Sequence, residues 1–324
     1  MTHYLVTGAA GFIASRVVEM LLESGHTVLG LDNLNDAYDV RMKEYRLKRL
    51  VELQGFSFVK VDIADRQAIS DLDRQVKSSQ AIINLAARAG VRQSMENPWV
   101  YVDTNLTGTL NLLEMCCRLE IPKFILASTS SIYGENAPYP TPEDADSSQP
   151  LQAYAATKKA AEVLCHAYHH LYGLDVTVFR YFTVNGPAGR PDMSLFRFTQ
   201  WISEGKPVMV YGDGEQTRGF TYVDDIARGT ILGLQPLGYE IINLGGHETV
   251  KINDLIRQLE EIIGRKAQRE HLPMHPADML ASWADVQKAK RLLNWSPHVP
   301  ISEGLAHLVA WYNAERSWAS QVNT

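Results

Sequence analysis

Tyr154 and Lys158 stand four residues apart in the segment LQAYAATKKAAE at 151–162. The segment is rich in Ala with Lys and Glu and holds no Pro or Gly, so it reads as a helix. The two side chains then project from one face in adjacent turns. An ammonium close to a phenol favours the phenolate, which is the chemistry of a general base. Moving a Tyr pKa from about 10 to about 7 takes roughly 4 kcal/mol, of which one Lys supplies part. Upstream, Thr129, Ser130 and Ser131 leave the end of an apolar strand, KFILAS at 123–128. A hydroxyl there can hydrogen-bond the same substrate oxygen as Tyr154 and relay its proton. The bland alternatives are an incidental Y-x-x-x-K on an amphipathic helix and an ordinary Ser/Thr turn.

The elements that must position these groups begin at the N-terminus. YLVT at 4–7 is a short strand that runs into GAAGFIAS and then into the helical pattern RVVEMLLESG. Gly8 and Gly11 permit a tight turn and let backbone N–H groups approach a pyrophosphate at the positive end of the helix, and Ala14 holds the third place of the fingerprint. The next strand, TVLGLD, ends at Asp32, about twenty residues on, where a carboxylate accepts hydrogen bonds from an adenosine ribose and repels a 2′-phosphate. This pattern points to NAD, whose oxidised nicotinamide ring is the second positive charge that Tyr154 needs. FSFVKVD reads as a third strand, with Asp62 capping the next turn or meeting the adenine amine. AIINLAA at 81–87 is a fourth, and its small residues suit a backbone lying close to a cofactor. KFILAS and LDVTVFRYF are the fifth and sixth. The polar insertion from Asn33 to Gly55 reads as a solvated helix. Asn105, in a helix from about Pro98 to Leu119, reads as ordering local backbone.

At 324 residues and 45% hydrophobic content the chain can bury a large core. A net charge of -6 with both signs interspersed argues against a nucleic-acid surface. No apolar run is long enough to span a membrane and no secretory signal is evident, so the cytoplasm is the expected compartment. Cys116, Cys117 and Cys165 lack metal-ligand spacing and read as buried thiols, so neither a metal site nor a disulfide framework is expected. The expected fold is α/β: a doubly wound parallel sheet (Rossmann) of residues 1–181 and 220–247, with a smaller, mostly helical substrate-binding lobe of 182–219 and 248–324.

TGAAGFIAS, STSSIYGE and YAATK occur in the order and spacing of the extended short-chain dehydrogenase/reductase superfamily, and the resemblance covers essentially the whole chain. Within it, GLDNLNDAYDVRMKEYRL, LAARAGVRQSMENPWVYVDTNL, YFTVNGPAGRPDMSLF and HPADMLASWADVQKAKRLLNW are more similar to UDP-glucuronate 4-epimerases than to UDP-galactose 4-epimerases. The resemblance implies that Tyr154 takes the proton of the sugar 4-hydroxyl, that Lys158 lowers its pKa and holds the nicotinamide ribose, and that Thr129 is the partner hydroxyl. It implies hydride transfer from C4 to tightly held NAD, a 4-keto sugar that turns over, and return of the hydride to its other face. It also implies a cofactor set of Gly8, Gly11, Phe12, Ile13, Asp32, Asn33, Asp62, Ile63, Leu85, Ala86, Ala87, Asn105, Tyr154, Lys158 and Tyr181.

The resemblance also discriminates among substrates. Sugar-nucleotide dehydratases carry Asp-Glu after the Thr, and decarboxylases carry a Glu in the same loop. Here Ser130 and Ser131 hold those places. Galactose-type epimerases follow Tyr181-Phe182 with Asn, where this chain has Thr183. Ser130, Ser131 and Thr183 are thus expected to bind a sugar carboxylate, with Arg190 and Arg218 facing the nucleotide sugar and Asp278 meeting the uridine ribose. Arg88 and Arg92 read either as further cations for the ligand or as surface residues. Two departures from the pattern, Asn185 for Tyr and Gly219 for Asp, bear on the shape of the sugar pocket. A UDP-glucose 4-epimerase, a net dehydrogenase and a non-catalytic NAD-binding regulator remain the alternatives. A homodimer through helices near 98–119 and 152–172 is implied.

Overall fold

The computed structural model describes residues 2–246, 248–273 and 281–324. In chain order its strands are β1 (His3–Thr7), β2 (Thr27–Asp32), β3 (Phe56–Lys60), β4 (Ala81–Asn84), β5 (Lys123–Thr129), β6 (Asp175–Tyr181) and β7 (Thr183–Asn185). They continue as β8 (Val208–Tyr211), β9 (Thr217–Tyr222), β10 (Tyr239–Leu244), β11 (Thr249–Lys251), β12 (Arg269–Leu272) and β13 (Ala281–Ser282). Seven of them form one parallel sheet in the order β10-β6-β5-β4-β1-β2-β3. The order reverses direction on either side of β1 and β4, and ligands of such sheets bind outside the carboxyl ends at that switch. The doubly wound fold is as expected. β10 was not among the six anticipated strands; it lies parallel to β6 and extends that edge.

Residues in the centre of the sheet are buried on both faces, which is why β4 and β5 read as unbroken apolar runs instead of alternating ones. The β5–β6 register sets Thr129 directly opposite Tyr181, so both reach the same end of the sheet. The Ala153–Tyr172 helix packs on β5 and β6. The helix expected from Pro98 is interrupted: Val102–Thr107 is a π-helical segment leading into an α-helix at Gly108–Leu119. An inserted π turn re-aims side chains, and Asn105 lies within it.

The second lobe has its own apolar core, centred on Phe196, Ile202, Val210, Leu255, Leu259, Leu308 and Tyr312. Its helices Ser194–Glu204, Ile252–Ile263 and Ile301–Ala314 are accompanied by two small sheets, one in which β9 pairs with β7, β11 and β13, and one of β8 with β12. The polar insertion is a helix, Arg41–Val51, but not a solvated one, because Met42, Lys43, Arg46 and Leu50 are buried. Those positions lie on one face at helical spacing, and tertiary contact with both lobes decides their burial.

Candidate active site

A cavity of about 750 Å³ opens between the carboxyl ends of the sheet and the second lobe. Most of the anticipated residues converge on it. Gly8, Gly11, Phe12, Ile13, Asp32, Asn33, Asp62, Ile63, Leu85, Ala86 and Ala87 line one arm. Thr129, Ser130, Ser131, Tyr154, Lys158 and Tyr181 line the middle, and Thr183, Arg190 and Arg218 the second-lobe side. Asn105 does not line the cavity. It stands behind it, pairing both ways with the Arg88 backbone and donating to Thr157 Oγ1. It therefore positions the loop after β4 and the Tyr154 helix, in keeping with its reading as a backbone organiser, whereas its place in the implied cofactor set is not matched by the cavity lining. Asp278 lies outside the described residues.

At the sheet end, Gly8 has φ +68°, and a Cβ there would lie 2.8 Å from the Ala86 backbone. Only glycine allows β1 and β4 to run this close, leaving the Gly8–Gly11 turn open toward the start of the Phe12–Glu23 helix. Asp32 accepts hydrogen bonds from Ala10 N (3.2 Å) and Leu34 N (2.8 Å), which fixes its carboxylate at the end of β2. Asp62 accepts from Asn33 Nδ2 at 2.8 Å and caps its own turn through Ala64 N. Lys43 Nζ lies 3.7 Å from Asp32 and donates to Asn35 Oδ1. Lys43, Asn35 and Tyr38 all line the cavity and were missed, because a polar helical segment carries no sign of which lobe will cover it.

At the reactive end, the Thr129 hydroxyl reaches both the Ser131 backbone N–H (3.1 Å) and the Tyr154 phenol. Burial pushes the Tyr154 pKa up, while the Thr129 hydrogen bond and the Arg190 charge pull it down. Lys158 Nζ is buried without a hydrogen-bond partner among the described residues. Such a group is costly unless a ligand completes it, so this orphaned ammonium fits a polar cofactor group that enters the cavity. Burial also pushes the Lys158 pKa from its ordinary 10.5 down to about 8, against the opposing pull of Cys165 and Glu162.

That depression has a thermodynamic consequence. Between about pH 8 and 10.5 the unfolded chain holds this proton and the folded chain does not, so stability contributed by this site rises with pH across that window. At neutral pH the buried charge costs about 3 kcal/mol. Lys158→Met is therefore expected to raise the thermal midpoint of cofactor-free protein while turnover is lost. A lowered midpoint in a thermal melt would contradict this account.

On the second-lobe side, Arg190 pairs with Asp192 (Nε to Oδ1, 3.0 Å) and directs its remaining charge toward Tyr154. Thr183 begins β7, opposite Phe220 of β9. Arg92, which also lines the cavity, stacks 4.2 Å from the Tyr211 ring and so bridges the loop after β4 to the second lobe. Arg88, in the same loop, is half-buried and does not line the cavity. Neither unusual residue lines the cavity. Asn185 is buried against Gly304 and Tyr222. Gly219 leaves room for Trp283, since a Cβ there would lie 2.8 Å from that residue's Cβ. Trp283 in turn stacks on Tyr139 with ring centroids 4.9 Å apart.

Residues 4–245 match the NAD dependent epimerase/dehydratase family. The chain is 58% identical over 312 residues to a UDP-glucuronate 4-epimerase of Thermodesulfobacterium geofontis, an alignment that takes in 96% of each chain. Among solved structures it is similar to a UDP-glucuronic acid 4-epimerase from Bacillus cereus in complex with UDP-glucuronic acid and NAD. That match has a TM-score of 0.91 at 38% identity and covers 97% of this chain and 100% of the other. A UDP-glucose 4-epimerase from Thermotoga maritima with UDP-glucose matches with a TM-score of 0.89 at 32% identity, over 97% and 100% of the two chains.

Proposed function

We infer from this chain's place in the NAD dependent epimerase/dehydratase family, to which it belongs, that it interconverts UDP-glucuronate and UDP-galacturonate with NAD as its cofactor. The observation that carries the substrate choice is the hydroxyl loop. Ser130 and Ser131 face the cavity beside Thr129 and Tyr154, and neither is an acid. Elimination or decarboxylation chemistry has no carboxyl group to work with in that loop. The relatives named above are glucuronate epimerases at 58% and 38% identity, against 32% for the glucose epimerase.

NAD, when bound, supplies a reversible hydride acceptor for C4 of the sugar. The Gly8–Gly11 turn would hold its pyrophosphate, Asp32 its adenosine ribose, and Lys158 its nicotinamide ribose. Tyr154 accepts the 4-hydroxyl proton as phenolate and returns it after the sugar has turned over. Thr129 keeps that oxygen in reach by hydrogen-bonding the phenol and the substrate together. A 4-keto glucuronate is a β-keto acid prone to lose carbon dioxide. Ser130, Ser131 and Thr183 bind its carboxylate as neutral donors and hold it against that loss, and Arg190 contributes charge beside the same space.

Incubation with UDP-glucuronate followed by proton NMR tests the reading. UDP-galacturonate is the expected product, and its absence, or the appearance of UDP-xylose, overturns it. Thr183→Asn is expected to raise KM for UDP-glucuronate about tenfold or more, the loss of one hydrogen bond to a charged group, with little change for UDP-glucose; steady-state kinetics on both sugars checks this.

The same family reading extends to a homodimer. Trp99 (76% exposed), Val102 and Leu110 on one helical segment and Val163, Leu171 and Tyr172 on the adjacent Ala153–Tyr172 helix leave large apolar groups in solvent. Such a patch suits burial against a second copy. Sedimentation at twice 36.3 kDa is expected. No described helix is long and apolar enough to cross a membrane.

A further inference from the structure

Arg46 is 3% exposed, and no carboxylate pairs with it among the described residues. Its guanidinium has five N–H donors, and each has an acceptor. Nε donates to Ala188 O at 3.0 Å, and Nη2 donates to Ala188 O at 2.7 Å and Gly189 O at 3.1 Å. Nη1 donates to Ala10 O at 3.1 Å and to Tyr38 OH at 2.9 Å. The cation also sits 5.9 Å from the Phe12 ring centroid and 5.6 Å from that of Tyr38.

The carbonyls it gathers belong to two different arms of the cavity. Ala10 lies within the Gly8–Gly11 turn, and its own N–H is held by Asp32. The Ala10 peptide is thus pinned on one side by β2 and on the other by Arg46. Ala188 lies in the turn that ends at Arg190, in the left-handed region at φ +52° without being glycine. Arg46 holds that residue's carbonyl twice and the next one once, two residues before the side chain that faces Tyr154. A lysine has no planar fork and meets such a set poorly.

We propose that Arg46 is a positioning residue that couples the dinucleotide-binding turn to the sugar-binding arm, by fixing the Ala10 carbonyl and the Ala188–Gly189 carbonyls with one guanidinium. Order imposed on either arm by its ligand is passed to the other through this group. The inference rests on the reading of the cavity as a site for NAD and a UDP-sugar.

The test uses the NAD-loaded, full-length protein and UDP as probe. In the wild type, saturating UDP is expected to slow NAD release about fivefold or more, within the usual range of coupling between sites. In Arg46→Lys, which keeps the charge but not the fork, UDP is expected to leave NAD release unchanged, and KM for UDP-glucuronate to rise at least tenfold with a smaller fall in kcat. A residue that merely braced the fold would lower the thermal midpoint and leave the UDP effect intact, and that result overturns the proposal. So does a wild type whose NAD release ignores UDP, a measurement that stands even if the variant does not fold. Turnover of UDP-glucuronate by the same wild-type preparation tests the substrate reading separately, since the release experiment needs only UDP and NAD.

Discussion

Tyr154→Phe is expected to lower kcat on UDP-glucuronate by about 10²–10⁴-fold, the range for loss of a positioned acid–base group, while bound NAD and the affinity for UDP-glucuronate stay near wild type. In the proposed mechanism the phenol takes the sugar proton, and its removal leaves the ring in place beside Tyr101, whose centroid lies 6.2 Å away in an edge-on arrangement. Packing is thus preserved and the proton acceptor is lost. Titration calorimetry with UDP-glucuronate separates the two effects from kcat. A variant that retained a tenth or more of wild-type kcat would remove Tyr154 from the mechanism.

The pH dependence has a determined sign. In the proposed mechanism only the phenolate accepts the proton, so wild-type activity is expected to rise with pH through the Tyr154 ionisation. The Arg190 charge lowers that ionisation. Arg190→Met should therefore shift the rising limb of the kcat/KM profile to higher pH, and an unmoved limb would show that Arg190 does not act on the phenol.

Arg180→Met is expected to cost about 3–5 kcal/mol of stability, as breaking a buried ion pair does. Arg180 and Glu162 are each about 2% exposed at the side chain and pair at 2.8 Å across β6 and the Ala153–Tyr172 helix. Ser128 donates to the same carboxylate at 2.6 Å, and Arg180 continues to Tyr133 OH at 3.0 Å and Glu143 O at 2.8 Å. One guanidinium thus ties the strand before Thr129, the turn after it and the helix that carries Lys158. Removing it leaves the buried Glu162 carboxylate with only the Ser128 hydroxyl and the more distant, partly exposed Lys159 ammonium at 3.6 Å. Chemical denaturation should show the loss, and Glu162→Gln combined with Arg180→Met should recover part of it, because the second substitution then leaves no ion behind. A stability equal to wild type in the single variant would mean that the pair contributes nothing net.

Local signals in this chain carried much of the cavity. The Gly8–Gly11 turn, Asp32 at the end of β2, the hydroxyls after β5 and the Tyr154–Lys158 spacing are each readable because they lie within one element or at its end. There, strand alternation, helix periodicity and glycine's backbone freedom act over a few residues. The residues that escaped notice are of another kind. Lys43 and Arg46 stand in a segment that local composition reads as polar and solvated, yet both are buried. Arg46 is held by Ala188 and Gly189, which are more than a hundred residues away in the chain.

Asn185 and Gly219 show the same limit from the opposite side. Both depart from the pattern next to residues that face the cavity, and both point elsewhere, toward Gly304 and Trp283. Alternation accounts for Gly219, whose neighbours Arg218 and Phe220 line the cavity, but not for Asn185, which shares the parity of Thr183 and is turned away by packing against Gly304. The reaction type is legible along the chain, because hydride and proton chemistry need particular side chains at the ends of particular strands. What holds those ends in register emerges from packing: a buried cation shared by two lobes, an ion pair beneath the Lys158 helix and an orphaned ammonium within the cavity. These depend on distance in space, and distance in space between remote segments is set by packing, not by spacing along the chain.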